Sequence, residues 1–168
     1  MSPRRVVITG LGWATPLGHQ IEPVWKDLLA GKSGIKTITR FNTDQYTVKF
    51  GGEISNWDGS PHLEHRELKR TDRFTQFALH SAVEAVKDAG IDFAREDPDQ
   101  CGVIIGSGIG GIETFQEGFA KMLEKGPSRV SPMMIPKLMI NAASANVSIL
   151  WKLTGVNSAS VTDRKSVV

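Results

Sequence analysis

Gly106-Ser107-Gly108-Ile109-Gly110-Gly111 stands directly after the apolar run Val103-Ile104-Ile105 and before an amphipathic stretch that begins at Ile112. As a bare pattern this is G-x-G-x-x-G, the turn that lets a backbone approach a pyrophosphate at a helix N-terminus. Dinucleotide chemistry also needs a second strand about twenty residues on, ending in Asp or Glu for the ribose hydroxyls. That region reads Leu123-Glu124-Lys125-Gly126-Pro127-Ser128 instead. The six residues are therefore read as a turn whose missing side chains let the backbone pass close to a neighbouring strand or to an acyl substrate.

Arg66, Lys69 and Arg70 place three cations within five residues, just ahead of the strongest helix signal in the chain. Cations at a helix N-terminus oppose its macrodipole, so their presence there suggests an acidic partner. A solvated charged face with Glu64 and Glu67 as neighbours is the other reading. His62 and His65 share a helical spacing, yet no Cys, His or carboxylate set with metal spacing accompanies them, and no metal site is expected. His80 interrupts an apolar helix and is read as hydrogen-bonded in the core; His19 carries no signal. The lone cysteine, Cys101, is read as a buried strand thiol, because reactive thiolates need accessible, electropositive surroundings. The four tryptophans are scattered and are assigned to packing.

Periodicity supplies the secondary structure around these residues. Arg5 to Thr9 is a β-branched run stopped by Gly10-Leu11-Gly12, and predicts a strand buried on both faces. Glu22 to Ala30 predicts a short helix with Gly31 beyond its end. Periodicity then breaks from Lys32 to Glu67, an excursion of short extended pieces. Phe74, Phe77, Ala78, Ala82, Ala85, Val86 and Ala89 form one helical stripe that Gly90 closes. Cys101 to Ile105 predicts a second buried strand and Ile112 to Leu123 a helix. Pro136 is placed at the first position of an apolar helix running to about Leu153, and Asn157 to Thr162 predicts a third strand. Strand, glycine turn and helix in sequence mark the class as α/β.

The chain has 168 residues, of which 40% are hydrophobic and 23% charged, with a formal charge of +2, which suits one ordinary globular domain or part of one. So small a net charge gives no reason to expect nucleic acid as a partner. No signal-peptide core and no apolar run of membrane-spanning length is present, so a reducing cytoplasm is the expected compartment.

Several segments taken together resemble the β-ketoacyl-acyl carrier protein synthase II family of thiolase-like condensing enzymes. They are Arg4-Arg5-Val6-Val7-Ile8-Thr9-Gly10-Leu11-Gly12, the run from Trp25 to Ile35, Asp72-Arg73-Phe74-Thr75-Gln76, Gly106 to Gly111, and Ser131-Pro132-Met133-Met134-Ile135-Pro136. The resemblance covers residues 1–162 and concerns the N-terminal half of the family. It implies a layered α/β/α/β/α fold of which this chain supplies the first half, working as a homodimer when full length. It also implies acyl transfer from acyl carrier protein to a cysteine, followed by decarboxylative Claisen condensation with malonyl-acyl carrier protein in fatty acid biosynthesis, with no cofactor. Ile109 matches the family's gating residue at the acyl pocket, and Met134 and Ile135 match positions that line the partner's pocket. Arg66, Lys69, Arg70 and Arg129 match the surface that docks the acidic carrier.

The departures are Val156, where the family usually has proline, and everything after Thr162. Matching at Thr162 puts Arg164 where the family has its nucleophilic cysteine, and a guanidinium is no nucleophile at neutral pH. The supporting His, His and Lys of the family fall beyond Val168. Residues 163–168 also translate the short-read sequencing adapter GATCGGAAGAGCGTCGTG, and are expected to be a non-family tail. As written, the chain is expected to be inactive in condensation. The alternative is a cysteine-less partner subunit like the chain-length factors of polyketide condensing enzymes.

Overall fold

The computed structural model describes residues 5–58 and 63–161. They fall into two compact units, one built from residues 5–58 with His80–Ile91, the other from residues 63–79 with 92–161.

In the first unit, α1 (Ile21–Leu29) buries Val24 and ends where the sequence places its stop, with Gly31 at φ +70°. The excursion becomes an antiparallel hairpin, β1 (Ile35–Thr37) on β2 (Phe50–Gly52), with Ile35 opposite Gly52. Glu53 fastens its open side. The Glu53 carboxylate accepts the Thr39 N–H and hydroxyl, both at 2.9 Å, and the Arg40 N–H at 2.8 Å. These bonds favour the charged form, the Thr39 backbone bond most, and hold the carboxyl below its ordinary value of 4.5.

The strand expected over Arg5 to Thr9 does not form: Val6 is 92% and Ile8 84% exposed. A strand exists only by pairing its backbone groups, and no strand among the described residues lies beside this one. The glycines at its end, by contrast, are closely packed. A methyl at Gly10 would sit 2.2 Å from the Ala85 carbonyl oxygen, and one at Gly12 2.0 Å from that of Ser81, so both glycines let this segment lie on the long helix α3 (Arg73–Ala89). The Leu11 N–H donates to Asp88 at 2.9 Å and fixes the approach. His80 is buried in an edge-to-face cluster with His19 and Trp57, ring centres 5.1–5.7 Å apart, so His19 does have a place in the packing.

The second unit holds a parallel pair, β3 (Val103–Gly106) and β4 (Asn157–Ser160), in register from Val103 opposite Asn157 to Gly106 opposite Ser160. Between them the chain forms α4 (Ile112–Lys125), α5 (Met134–Leu138) and α6 (Ala142–Trp151). The single apolar helix expected from Pro136 is in fact two. Pro136 lies inside the first turn of α5, where its missing N–H costs nothing, and Met139 then leaves helical geometry at ψ 135° before α6 begins. The small residues Ala142, Ala143 and Ser144 are buried against the strand pair, and Asn157 is tied to Ser144 through both ends of its amide, at 2.9 and 3.0 Å. The far side of α6 is not covered, with Ile149 largely exposed. Cys101 is also corrected. It precedes β3, at the end of a 3-10 turn, and is partly exposed rather than a buried strand thiol.

Candidate functional site

The loop Gly106–Gly111 is pinned at both ends. The Ser107 N–H donates to Ser160 O at 3.0 Å, extending the strand pair, and the Gly111 N–H donates to Leu138 O at 3.1 Å. Within it the Ser107 hydroxyl accepts the Gly110 N–H at 3.1 Å, and Gly110 takes φ +78°, a region that a side chain disfavours. A methyl at Gly110 would lie 2.8 Å from Leu138 O, and one at Gly111 2.7 Å from Leu138 Cα. The glycines thus admit the backbone of the α5 C-terminus, neither a strand nor a phosphate. That occupancy, with α4 followed by further helices and no second strand before β4, removes the dinucleotide reading.

Asp72 organises the helix that leaves this loop, and sequence reasoning did not single it out. Gly111 is the residue before α4 and has no side chain with which to cap it. Asp72, buried at 6% exposure, supplies the cap from 42 residues away. Its Oδ2 accepts the Thr114 N–H at 3.0 Å and the Thr114 hydroxyl at 2.6 Å, while Oδ1 accepts the Phe74 N–H of α3 at 3.3 Å. One carboxylate therefore faces the positive ends of two helices. The available signal was an Asp directly before the helical stripe, an N-cap residue type in an N-cap position.

Ile109 is the exposed crest of the loop, 67% accessible, and lines an apolar groove of about 260 Å³ with Ile112, Phe115 and Leu138. Met134 is half-buried over Gly118 and lines a second groove, with Lys69, Lys121 and Lys137. Ile135 is exposed and lines neither of these grooves. The structure therefore brings Met134 together with Lys69 and leaves Ile109 to a separate surface.

The cationic cluster occupies its own short helix, α2 (His65–Arg70), whose start is a capping box in which Glu67 accepts the Glu64 N–H at 3.0 Å. Arg66, Lys69 and Arg70 are all exposed. The expectation that they oppose a macrodipole is corrected for two of the three: Lys69 and Arg70 fall in the last turn of α2, where cations are favourable, whereas Arg66 lies in its first turn. The helix boundary at Thr71 is what sequence periodicity missed. Arg129 is exposed in the 3-10 turn after α4. His65 is exposed at the start of α2, and among the described residues no cluster of three His, Cys, Asp or Glu could hold a metal. His62, Thr162, Arg164 and the rest of the 163–168 tail lie outside the described residues. No described helix is long and apolar enough to cross a membrane.

A strand, a glycine turn closed on a helical segment, and helices between parallel strands define an α/β fold whose glycine turn is filled by backbone rather than open to a dinucleotide. Residues 3–166 match the family described as β-ketoacyl synthase, N-terminal domain, and the chain belongs to that family. The 3-oxoacyl-[acyl-carrier-protein] synthase 2 of Staphylococcus aureus strain COL is 45% identical over 159 residues, which cover 95% of this chain and 38% of that protein. A solved structure described as the ishigamide ketosynthase/chain length factor superposes with a TM-score of 0.84 at 25% identity, over 95% of this chain and 40% of that one. A second, a type II polyketide acyl-carrier protein in complex with its ketosynthase, has a TM-score of 0.70 at 16% identity over 89% and 40%, a likeness of fold. The chain thus spans less than half the length of these relatives and corresponds to the N-terminal portion of the thiolase-like ketosynthase fold. The family is that of the β-ketoacyl-acyl carrier protein synthases, and this chain contributes a single cysteine.

Proposed function

We propose that this chain is the N-terminal half, residues 1–162, of a subunit that elongates acyl chains by decarboxylative condensation on acyl carrier protein. In that chemistry a cysteine thiolate takes the acyl group from the carrier by thioester exchange. Loss of carbon dioxide from the malonyl thioester leaves a carbanion, which attacks the acyl thioester and expels the thiolate. Ile109 at its apolar groove and Met134 and Ile135 on α5 serve the acyl chain. Arg66, Lys69, Arg70 and Arg129 present an exposed positive surface to an acidic carrier. A cytoplasmic homodimer completes the reading.

The residue at position 164 divides this function into two forms. Arginine there cannot act as the nucleophile, and the superposition on a ketosynthase/chain length factor supports the partner form, a cysteine-less subunit that shapes the product of an active one. The 45% identity to a 3-oxoacyl-[acyl-carrier-protein] synthase 2 supports the elongating form, with residues 163–168 a non-native tail over a native cysteine. Sequencing the parent locus across codons 162–168 separates them. The full-length protein should then be mixed with radiolabelled acyl-carrier protein. Hydroxylamine-sensitive label on the protein establishes the elongating form, whereas label only on an added ketosynthase partner establishes the other. The condensing reading falls if the protein neither takes label nor changes the products of a ketosynthase.

A further inference from the structure

Gly111 is where the two walls of the Ile109 groove meet. Its N–H donates to Leu138 O at 3.1 Å, which ties the loop to the α5 wall, and its carbonyl accepts the Phe115 N–H at 3.0 Å, which begins the α4 wall. Asp72 is packed against this same buried glycine, since a methyl added at Gly111 would lie 3.0 Å from Asp72 Oδ2. Asp72 does not itself line the groove; it grips α4 from behind. Ile112 and Phe115 face the groove about 60° apart around the helix, whereas Thr114, which Asp72 holds at 3.0 and 2.6 Å, lies about 130° from the line midway between them. Through Oδ1, which accepts the Phe74 N–H at 3.3 Å, the grip is anchored on the start of the long helix α3.

We infer that Asp72 is a positioning residue for the Ile109 groove: from outside it, the carboxylate fixes the spacing between the Ile112–Phe115 wall and Leu138, and with it how closely an alkyl chain is packed. The inference rests on the reading of this groove as an acyl site. Gly111 has no side chain with which to cap α4, so no neighbour in sequence replaces Asp72 there. Released from the carboxylate, the first turn of α4 loses the acceptor of its Thr114 N–H and frays, and Ile112 and Phe115 no longer stand at one distance from Leu138. Dispersion contact is steep in distance: a gap of about 0.5–1 Å forfeits a quarter to a half of it. A loosened groove therefore still admits a chain but rewards each methylene less.

The test is calorimetric titration of the full-length protein with the S-butyl, S-pentyl and S-hexyl thioethers of N-acetylcysteamine, which carry an alkyl chain but cannot transfer it. In the native protein each added methylene should tighten binding about fourfold. In Asp72→Ala the increment should fall to about twofold, as expected when half of the contact is forfeited. Thr114→Ser keeps both bonds to Asp72 and should retain the fourfold increment. Asn157→Ala unfastens β4 from α6 away from the groove and should also retain it, whatever stability it costs. An increment lowered equally in Asn157→Ala would reduce Asp72 to general stability and overturn the inference. If Asp72→Ala does not fold, Thr114→Val decides, since an increment unchanged by loss of the 2.6 Å bond also overturns it. Ile109→Ala locates the chain. If that variant leaves every thioether unchanged, or if the native protein binds none, the acyl reading of the groove falls and the inference with it. Binding that Ile109→Ala weakens, with an increment that Asp72→Ala leaves at fourfold, overturns the inference alone.

Discussion

Replacing Asp72 by alanine removes a single buried carboxylate and unfastens two helices at once. The Thr114 N–H and hydroxyl lose their acceptor at 3.0 and 2.6 Å, and the Phe74 N–H loses its cap at 3.3 Å. A buried donor left unsatisfied costs about 1–3 kcal/mol and a lost N-cap about 1 kcal/mol. Thr114 is only half-buried, so water can reclaim part of its share. The expected loss is about 3 kcal/mol, a large part of the 5–15 kcal/mol or so that a domain holds. Asp72→Asn keeps one acceptor oxygen but gives up the charge that faces two helix N-termini, and should cost about 1–2 kcal/mol. Thr114→Val removes the hydroxyl alone. Urea unfolding of the full-length protein and the three single variants, with Asp72→Ala/Thr114→Val closing the cycle, measures both stability and coupling. The cycle should show about 1 kcal/mol or more of coupling between the two residues. A loss below about 1 kcal/mol in Asp72→Ala, or independent effects, would refute the bridging role.

The glycine loop should discriminate sharply between neighbours. Gly110→Ala forces a side chain into φ +78° and within 2.8 Å of Leu138 O, and should cost about 2 kcal/mol or more, whereas Gly108→Ala meets nothing within 4 Å and should be close to neutral by thermal melting. Glu53 makes the β1–β2 hairpin acid-sensitive. Its folded carboxyl titrates below 4.5, so the unfolded chain binds protons first on acidification; the stabilisation is complete above that value and is lost as pH falls through the lowered folded one. Amide exchange at Thr39 and Arg40 should therefore accelerate in acid relative to other hairpin amides, and Glu53→Gln should abolish that excess; a pH-independent pattern in the native protein would count against the clamp.

Local patterns along the chain were enough to place several elements of this protein. The stripe from Phe74 to Ala89 is α3, the glycine turn leads into α4, and the residues from Asn157 make β4, because periodicity and helix stops act over a few neighbours. The ordered set of family segments carried the assignment to the β-ketoacyl synthases. Periodicity could not say that Arg5 to Thr9 meets no partner strand among the described residues, since pairing depends on which backbone arrives alongside. Nor could it divide the apolar run from Pro136 into α5 and α6, or end α2 at Arg70 and so reverse the meaning of Lys69 and Arg70 for the dipole. Folding in three dimensions seated the α5 backbone on Gly110 and Gly111 and gave Asp72 to Thr114 across 42 residues. Those relations join elements far apart in sequence. Their energies come from close approach, desolvation and charge, which depend on distances in space that no local run of residues encodes.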